Sequence, residues 1–349
     1  MSAWTVVVWA VVTPDLEEAL QADLVEAAAA IGPKRPDPDI HVHVNIVRPH
    51  TDGTVTTELW STVDADPGDA PTESNLHDLL DHAHCWNDER QLFLVLWGHG
   101  AIAFPSPGLS AGVPDADEVV TQLKGLPQPD IIGYDACQMA TVATVSSLAA
   151  AFPHALFIGS MVPEPIKGWP YMELVQILRD LSLAPDGVSI AMVQAYAASL
   201  AVPHWCMVAL RLDFVGGGNP DLPEEPGLTD ALHSLITTTD PPERIRFFSA
   251  AAGADILEDT NLVDLGALMR GLRVEELHPT TANAQAAVGR AIQSATVAWR
   301  AAGELKGRDG VAVRLGVPWG PGAQTDHPWP EPPAMPNWGH YFPGLAPVE

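Results

Sequence analysis

Two short segments carry residue types that can act on one another. One reads Leu94-Val-Leu-Trp-Gly-His99-Gly100 and the other Ile131-Ile-Gly-Tyr-Asp135-Ala-Cys137. Each is an apolar run that stops at a polar side chain. An imidazole and a thiol brought together form a nucleophile–base pair: the ring takes the thiol proton and the sulfur attacks an electrophilic carbon. Glycine after His99 lets another backbone come close. The amides of Gly100 and Cys137 are then candidates to stabilise an oxyanion. Cys137 is expected where the following helix begins, near the positive end of its dipole, a position that lowers a thiol pKa. Asp135 lies two residues earlier, and in extended chain positions i and i+2 face the same way. Its carboxylate therefore projects near the thiol, placed to bind a cationic side chain or to cap a helix. Spacing alone leaves plainer readings open: a small buried cysteine, a His-Gly turn and a structural aspartate.

The elements that must position these residues follow from hydrophobic patterning. Trp4 to Val12 and Leu92 to Trp97 are continuous apolar runs, as in strands buried on both faces of a parallel sheet. Ile40 to Val47 alternates, Asp52-Gly53 is a hairpin signal, and Thr54 to Trp60 is its return strand. Further strands are expected at Asp130 to Asp135, Ala155 to Gly159, Trp205 to Asp213 and Gly310 to Val317. Helical patterns span Leu16 to Ala30, a segment starting at Ser74-Asn75, Asp115 to Lys124, Met139 to Ala150, Trp169 to Leu181, Val188 to Ala201, Leu228 to Thr237, Leu262 to Leu272 and Ala282 to Ala302. Strands alternating with helices predict a three-layer α/β/α sandwich around a mostly parallel sheet. A domain over 1–213 would carry the His/Cys pair. Residues 214–349 would form a more helical part with a closing strand and a tail rich in Pro and Trp. If the strands ending at Gly98 and Asp135 are neighbours, His99 and Cys137 share the carboxyl edge of the sheet, where open α/β sheets build their sites.

Composition narrows the classes. The 349 residues carry a formal charge of −27. A chain this acidic repels phosphate backbones and anionic membrane surfaces, and its few Lys and Arg form no run longer than the pair Lys34-Arg35. With 47% hydrophobic residues it is not a disordered chain. Three widely spaced cysteines, Cys85, Cys137 and Cys206, form neither a disulfide framework nor a zinc site, and Cys85 and Cys206 are expected to be inert. His41 and His43 alternate on a strand, but no third ligand completes a metal set, so no metal site is expected. The N-terminal run lacks a basic leader and a small-residue cleavage site, which together with the cysteine usage leads us to expect a reducing, cytoplasmic setting.

The two reactive segments resemble the clostripain family of cysteine peptidases in the caspase-like clan, whose members carry His-Gly after one hydrophobic strand and Asp-x-Cys after the next. The likeness extends to Trp4-Thr-Val-Val-Val with Asp15-Leu-Glu, to Ser74-Asn-Leu-His-Asp-Leu-Leu, to Gly168-Trp169-Pro170-Tyr171, and to Val263-Asp264-Leu265 and Gly310-Val-Ala-Val. The resemblance implies a bacterial endopeptidase in which Cys137 is the nucleophile and His99 the base. It places Asp135 in the pocket for the residue before the scissile bond, and so implies cleavage after Arg or Lys. It also implies frequent self-cleavage, for which Lys124, Lys167 and Arg179 are the nearby basic residues, and calcium in some members, although no cofactor is required by the residues themselves. Where the family has Glu-Pro-Gly before Gly-Trp, this chain has Glu164-Pro165-Ile166-Lys167. The function expected is a regulated or defence peptidase acting on basic peptide or protein substrates, with a regulatory partner or an activating protease. The alternative is a caspase-like pseudo-enzyme or scaffold that binds basic peptides without cutting them.

Overall fold

The computed structural model describes residues 3–32, 39–50, 52–62, 76–80, 90–100, 112–218, 225–240, 243, 262–303 and 310–314. Cys85, the acidic 64–69 loop, most of the loop after Gly100 and the tail beyond 314 lie outside them. In chain order the elements are β1 (Trp4–Val11), α1 (Glu17–Ile31), β2 (Ile40–Pro49), β3 (Val55–Ser61), β4 (Gln91–Gly98), α2 (Ala116–Gln122), β5 (Ile131–Asp135), α3 (Val142–Ala151), β6 (Leu156–Gly159), α4 (Tyr171–Leu178), α5 (Pro185–Ser199), β7 (Cys206–Arg211), α6 (Leu212–Gly216), α7 (Leu228–Thr238), β8 (Leu262–Asp264), α8 (Leu265–Gly271), α9 (Pro279–Ala295), β9 (Thr296–Ala301) and β10 (Ala312–Arg314).

Eight strands form one sheet in the order β3-β2-β1-β4-β5-β6-β7-β9. Its centre is parallel: β1 pairs with β2 and β4, β4 with β5, and β5 with β6. The hairpin partner β3 and the strand β7 run antiparallel. The central strands do not alternate because both of their faces are buried. Val6, Val8, Phe93, Val95 and Ile131 pack in one cluster with Leu20 and Ala27 of α1, Leu174 and Leu178 of α4, and Val188 and Met192 of α5. The intervening residues Val7, Leu94, Leu96, Ile132 and Tyr134 are buried as well. This is the α/β architecture that the patterning predicted.

The described residues fall into two compact units. The first comprises 1–139, 154–211 and 297–306 and holds the large sheet. The second comprises 140–153, 212–296 and 307–349; in it α7 packs on α9, α3 packs on α6, and β8 pairs with β10.

Several boundaries differ from the patterning, each for a local reason. The helix expected over 282–302 ends at Ala295 and the chain continues as β9, where β-branched Thr296 and Val297 and the indole of Trp299 suit a strand better than a last helical turn. The helix expected from Leu262 starts at Leu265, because the Asp264 carboxylate accepts the Ala267 amide at 2.7 Å and caps the helix there. The helix expected from Met139 starts at Val142, capped by the Thr141 hydroxyl.

Tyr134 is fully buried and, among the described residues, its hydroxyl meets no hydrogen-bond partner. An unsatisfied buried hydroxyl costs more than its removal. Tyr134→Phe is therefore expected to raise stability, by about 1 kcal/mol, read as a higher midpoint in urea unfolding; an unchanged or lower midpoint would show that the hydroxyl is satisfied in solution.

Candidate active site

The strand order sets the geography. β1 sends the chain to β2 on one side, and β4 joins on the other, so the winding reverses between β1 and β4. Crevices open at such reversals, beyond the carboxyl ends of the strands. Val11 pairs with Gly98 and Trp97 with Asp135, so the three strands β1, β4 and β5 end nearly level. Just past these ends lie Asp15, His99 and Cys137.

The His99 Nε2 atom lies 3.0 Å from Asp15 Oδ2. The sequence marks Asp15 only as part of the Asp15-Leu-Glu segment just beyond β1. The backbones of Gly100 and Cys137 are pressed together: a side-chain carbon on Gly100 would fall 1.7 Å from the Cys137 carbonyl oxygen, so no other residue fits. The backbone next to His99 therefore adjoins that of Cys137. Among the described residues no hydrogen bond joins the imidazole to the sulfur. The Cys137 Sγ instead accepts the Glu164 amide at 3.3 Å.

The electrostatics of the thiol differ from expectation. Cys137 precedes the Thr141 cap by four residues and so lies outside the first turn of α3, where the dipole would act. It stands in a tight turn in which the next residue, Gln138, is held at φ 60° while its amide donates to the Val162 carbonyl at 3.1 Å. Left-handed backbone costs about 1–2 kcal/mol for a residue with a side chain. Burial pushes the Cys137 thiol pKa up, the Glu164 amide opposes this, and the nearby Asp135 pushes it up again.

Asp135 is 5% exposed. Its Oδ2 accepts the Trp169 amide at 3.3 Å and the Tyr171 hydroxyl at 3.0 Å. The Gly-Trp-x-Tyr segment thus wraps the carboxylate, anchored by the Trp169 ring against Phe93 with centroids 6.2 Å apart. Two further acids, not singled out from the sequence, share this region. Among the described residues the buried Glu164 carboxyl oxygens meet no hydrogen-bond partner; burial, then the neighbouring Asp135 charge, push its pKa well up. Asp23, 6% exposed on α1, accepts the Trp97 indole N–H at 2.9 Å. Burial and the Asp135 charge push Asp23 up to about 9, and burial, opposed by the hydrogen bonds it accepts, brings Asp135 to about 6. The inner side of Asp23 borders an apolar cavity of about 20 Å³ walled by Val6, Leu20, Val44 and Val175, which explains its weak hydration.

The other residues considered have structural surroundings. His43 is buried with Nδ1 3.0 Å from the Ser61 hydroxyl, and Cys206 is buried with Ser160 Oγ and the Met161 amide each 3.3 Å from its sulfur. Arg179 donates to the Ala30 and Ile31 carbonyls and closes the end of α1. Among the described residues no three His, Cys, Asp or Glu side chains surround a point where a metal ion would sit, so no step is assigned to calcium.

Two measurements check this picture. Iodoacetamide should alkylate Cys137 and leave Cys206 intact, with a rate whose pH midpoint lies above the roughly 8.5 of a free thiol; a midpoint well below that value would mean an activated thiolate at rest. Asp23, Asp135 and Glu164 keep protons in the folded chain at pH values where the unfolded chain has lost them. The unfolded state then binds fewer protons, so their contribution to stability falls as pH rises from about 4 through the folded values of about 6 and about 9. Asp23→Asn should flatten that decline and raise the melting temperature most at alkaline pH.

Comparison with known proteins agrees with the geometry. Residues 43–206 match the model of the clostripain family, peptidase C11. The fold is similar to that of a secreted C11 cysteine protease from Bacteroides thetaiotaomicron in complex with an irreversible peptide inhibitor, with a TM-score of 0.63 and 16% identity over 93% of this chain and 95% of that one. It is also similar to an inactive zymogen C11 protease from Parabacteroides distasonis, with a TM-score of 0.64 and 15% identity over 89% of this chain and 92% of the other. At such identities the likeness is one of fold. No curated protein matches in sequence. The segment from β2 to the start of β7 thus matches the clostripain family, and this match together with the fold supports a cysteine-type peptidase.

Proposed function

We propose that this peptidase cleaves after basic residues, with Cys137 as nucleophile, His99 as base and Asp135 as the acid that receives the substrate cation. The observation that carries the reading is the placement of a buried carboxylate two residues before the thiol, at the end of the same strand. A desolvated carboxylate holds a guanidinium or ammonium far more firmly than one in water.

The chemistry runs in two halves. Because burial favours the neutral thiol, His99 acts as a general base during attack rather than as half of a preformed ion pair. The Cys137 proton moves to His99 as Sγ bonds to the scissile carbonyl carbon. The carbonyl oxygen becomes an oxyanion beside the adjoining backbones of Gly100 and Cys137, whose amides stabilise it. His99 then gives its proton to the leaving amine, the C–N bond breaks, and a thioester remains. Water adds to the thioester with His99 again taking a proton, and the carboxylic acid departs with the thiol restored. Asp15, hydrogen-bonded to His99, keeps the ring turned toward this work.

A set of fluorogenic peptides differing only in the residue before the scissile bond tests the reading. Cleavage after Arg or Lys, absent in Cys137→Ala and reduced about a hundredfold or more in Asp135→Asn, the size expected for losing a buried charge pair, is the expected result. Labelling of Cys137 without turnover of any basic peptide would favour a binding protein, and cleavage after Asp would remove the role of Asp135.

A further inference from the structure

Resting on the reading of Cys137, His99 and Asp135 above, we propose that the turn Pro165–Gly168 is a second element of specificity, and that Ile166 at its tip packs against an apolar side chain one or two positions before the basic residue of the substrate.

The turn is tied to the site at both ends. Before it, the Glu164 amide lies 3.3 Å from the Cys137 sulfur. After it, the Trp169 amide donates to the Asp135 carboxylate, and a side-chain carbon on Gly168 would lie 3.3 Å from each carboxylate oxygen. The Gly168 amide donates to the Pro165 carbonyl at 2.8 Å, which closes a four-residue turn with Ile166 and Lys167 at its corners. Gly168 stands at φ 62°, which lets the chain leave the turn back toward Asp135.

Ile166 contributes little to the core. It is 80% exposed, more than any other large apolar side chain among the described residues. Turns favour Gly, Pro, Asn, Asp and Ser, yet a β-branched apolar residue stands at this corner. It belongs to the stretch in which the chain departs from the Glu-Pro-Gly of the clostripain pattern. A lone exposed apolar residue needs no explanation. One held at the tip of a turn whose two ends touch the nucleophile and the specificity acid is placed to meet what they bind. Lys167, at the other corner, reaches along the surface, where its Nζ donates to the Ser199 carbonyl at 3.4 Å. That contact sets the turn beside the segment joining α5 to β7, in which Ala201, Val202 and Pro203 are exposed. β7 runs antiparallel to β6 and begins beyond its end, so this segment lies on the same edge of the sheet.

Strand order gives the direction of the substrate. β4, β5, β6 and β7 are consecutive neighbours. His99 follows β4, Cys137 follows β5, and the turn follows β6. His99 must reach the leaving amine, so the departing half of the substrate lies toward β4. The acyl half, with the basic residue and those before it, lies toward β6 and the turn. Cα atoms at the two ends of such a turn stay within about 7 Å, and an extended peptide advances about 3.3 Å per residue. Ile166 is therefore within reach of the first or second residue before the basic one. Contact there removes apolar surface of both partners from water.

The test uses matched peptides with Arg before the scissile bond and Leu or Ser at each of the two preceding positions, on wild type and Ile166→Ser. The expected result is that Leu at one of those positions raises the wild-type kcat/KM by about tenfold or more, the low end of what a hydrophobic contact contributes to substrate choice. The variant should lose that preference while cutting the peptide with two serines as wild type does. No preference in wild type, a preference kept by the variant, or an equal loss on every peptide overturns the role of Ile166 and leaves the cleavage reading in place. A wild type that cuts no Arg peptide overturns the cleavage reading instead. Alkylation of Cys137 by the matched Arg chloromethyl ketones then decides the role of the turn: faster labelling with Leu, lost in Ile166→Ser, is expected, and equal rates overturn it.

Discussion

A carboxylate buried at the end of a central strand is costly unless donors meet it. Asp135 is that carboxylate, and much of the neighbouring structure is arranged around it. The Gly168–Tyr171 segment turns back over the sheet to bring it an amide and a hydroxyl. The Glu164 amide, from the stretch just before it, meets the Cys137 sulfur. The stretch 164–171 therefore serves both Asp135 and Cys137, and the turn just after Cys137 holds Gln138 at a positive φ. Removing the negative charge would leave these groups facing nothing.

The same arrangement explains why the thiol is quiet at rest. Its environment offers burial and a nearby carboxylate, both of which favour the protonated form. A thiol of this kind is protected from incidental oxidation and alkylation, because the thiolate is the species that reacts.

The strands and the mostly parallel sheet were legible in the sequence, because they follow from apolar runs and abrupt polar stops. The hairpin at Asp52-Gly53 was legible for the same reason. What it did not reveal is set by contacts distant in the chain. The capping of α3 by Thr141 moves the helix away from Cys137 and removes the dipole assigned to it. The strand β9 reads as helix until its place at the edge of the sheet is known. Asp23 has nothing in its own segment to mark it: it lies on α1 among alanines and other acids, and only Trp97, seventy-four residues later, shows that it faces inward. Likewise Glu164 belongs to a stretch that departs from the family pattern, and its burial beside Asp135 is invisible to spacing.

The level ends of β1, β4 and β5 also set when the molecule acquires its chemistry. Asp15, His99 and Cys137 come from three strands whose pairings close long loops, and such contacts form slowly during folding. While the chain is being synthesised, the first four strands precede β5, the strand that leads to Cys137. The meeting of Asp15, His99 and Cys137 at one edge is therefore a property of the closed sheet, and a chain in which β5 has not yet joined β4 lacks it.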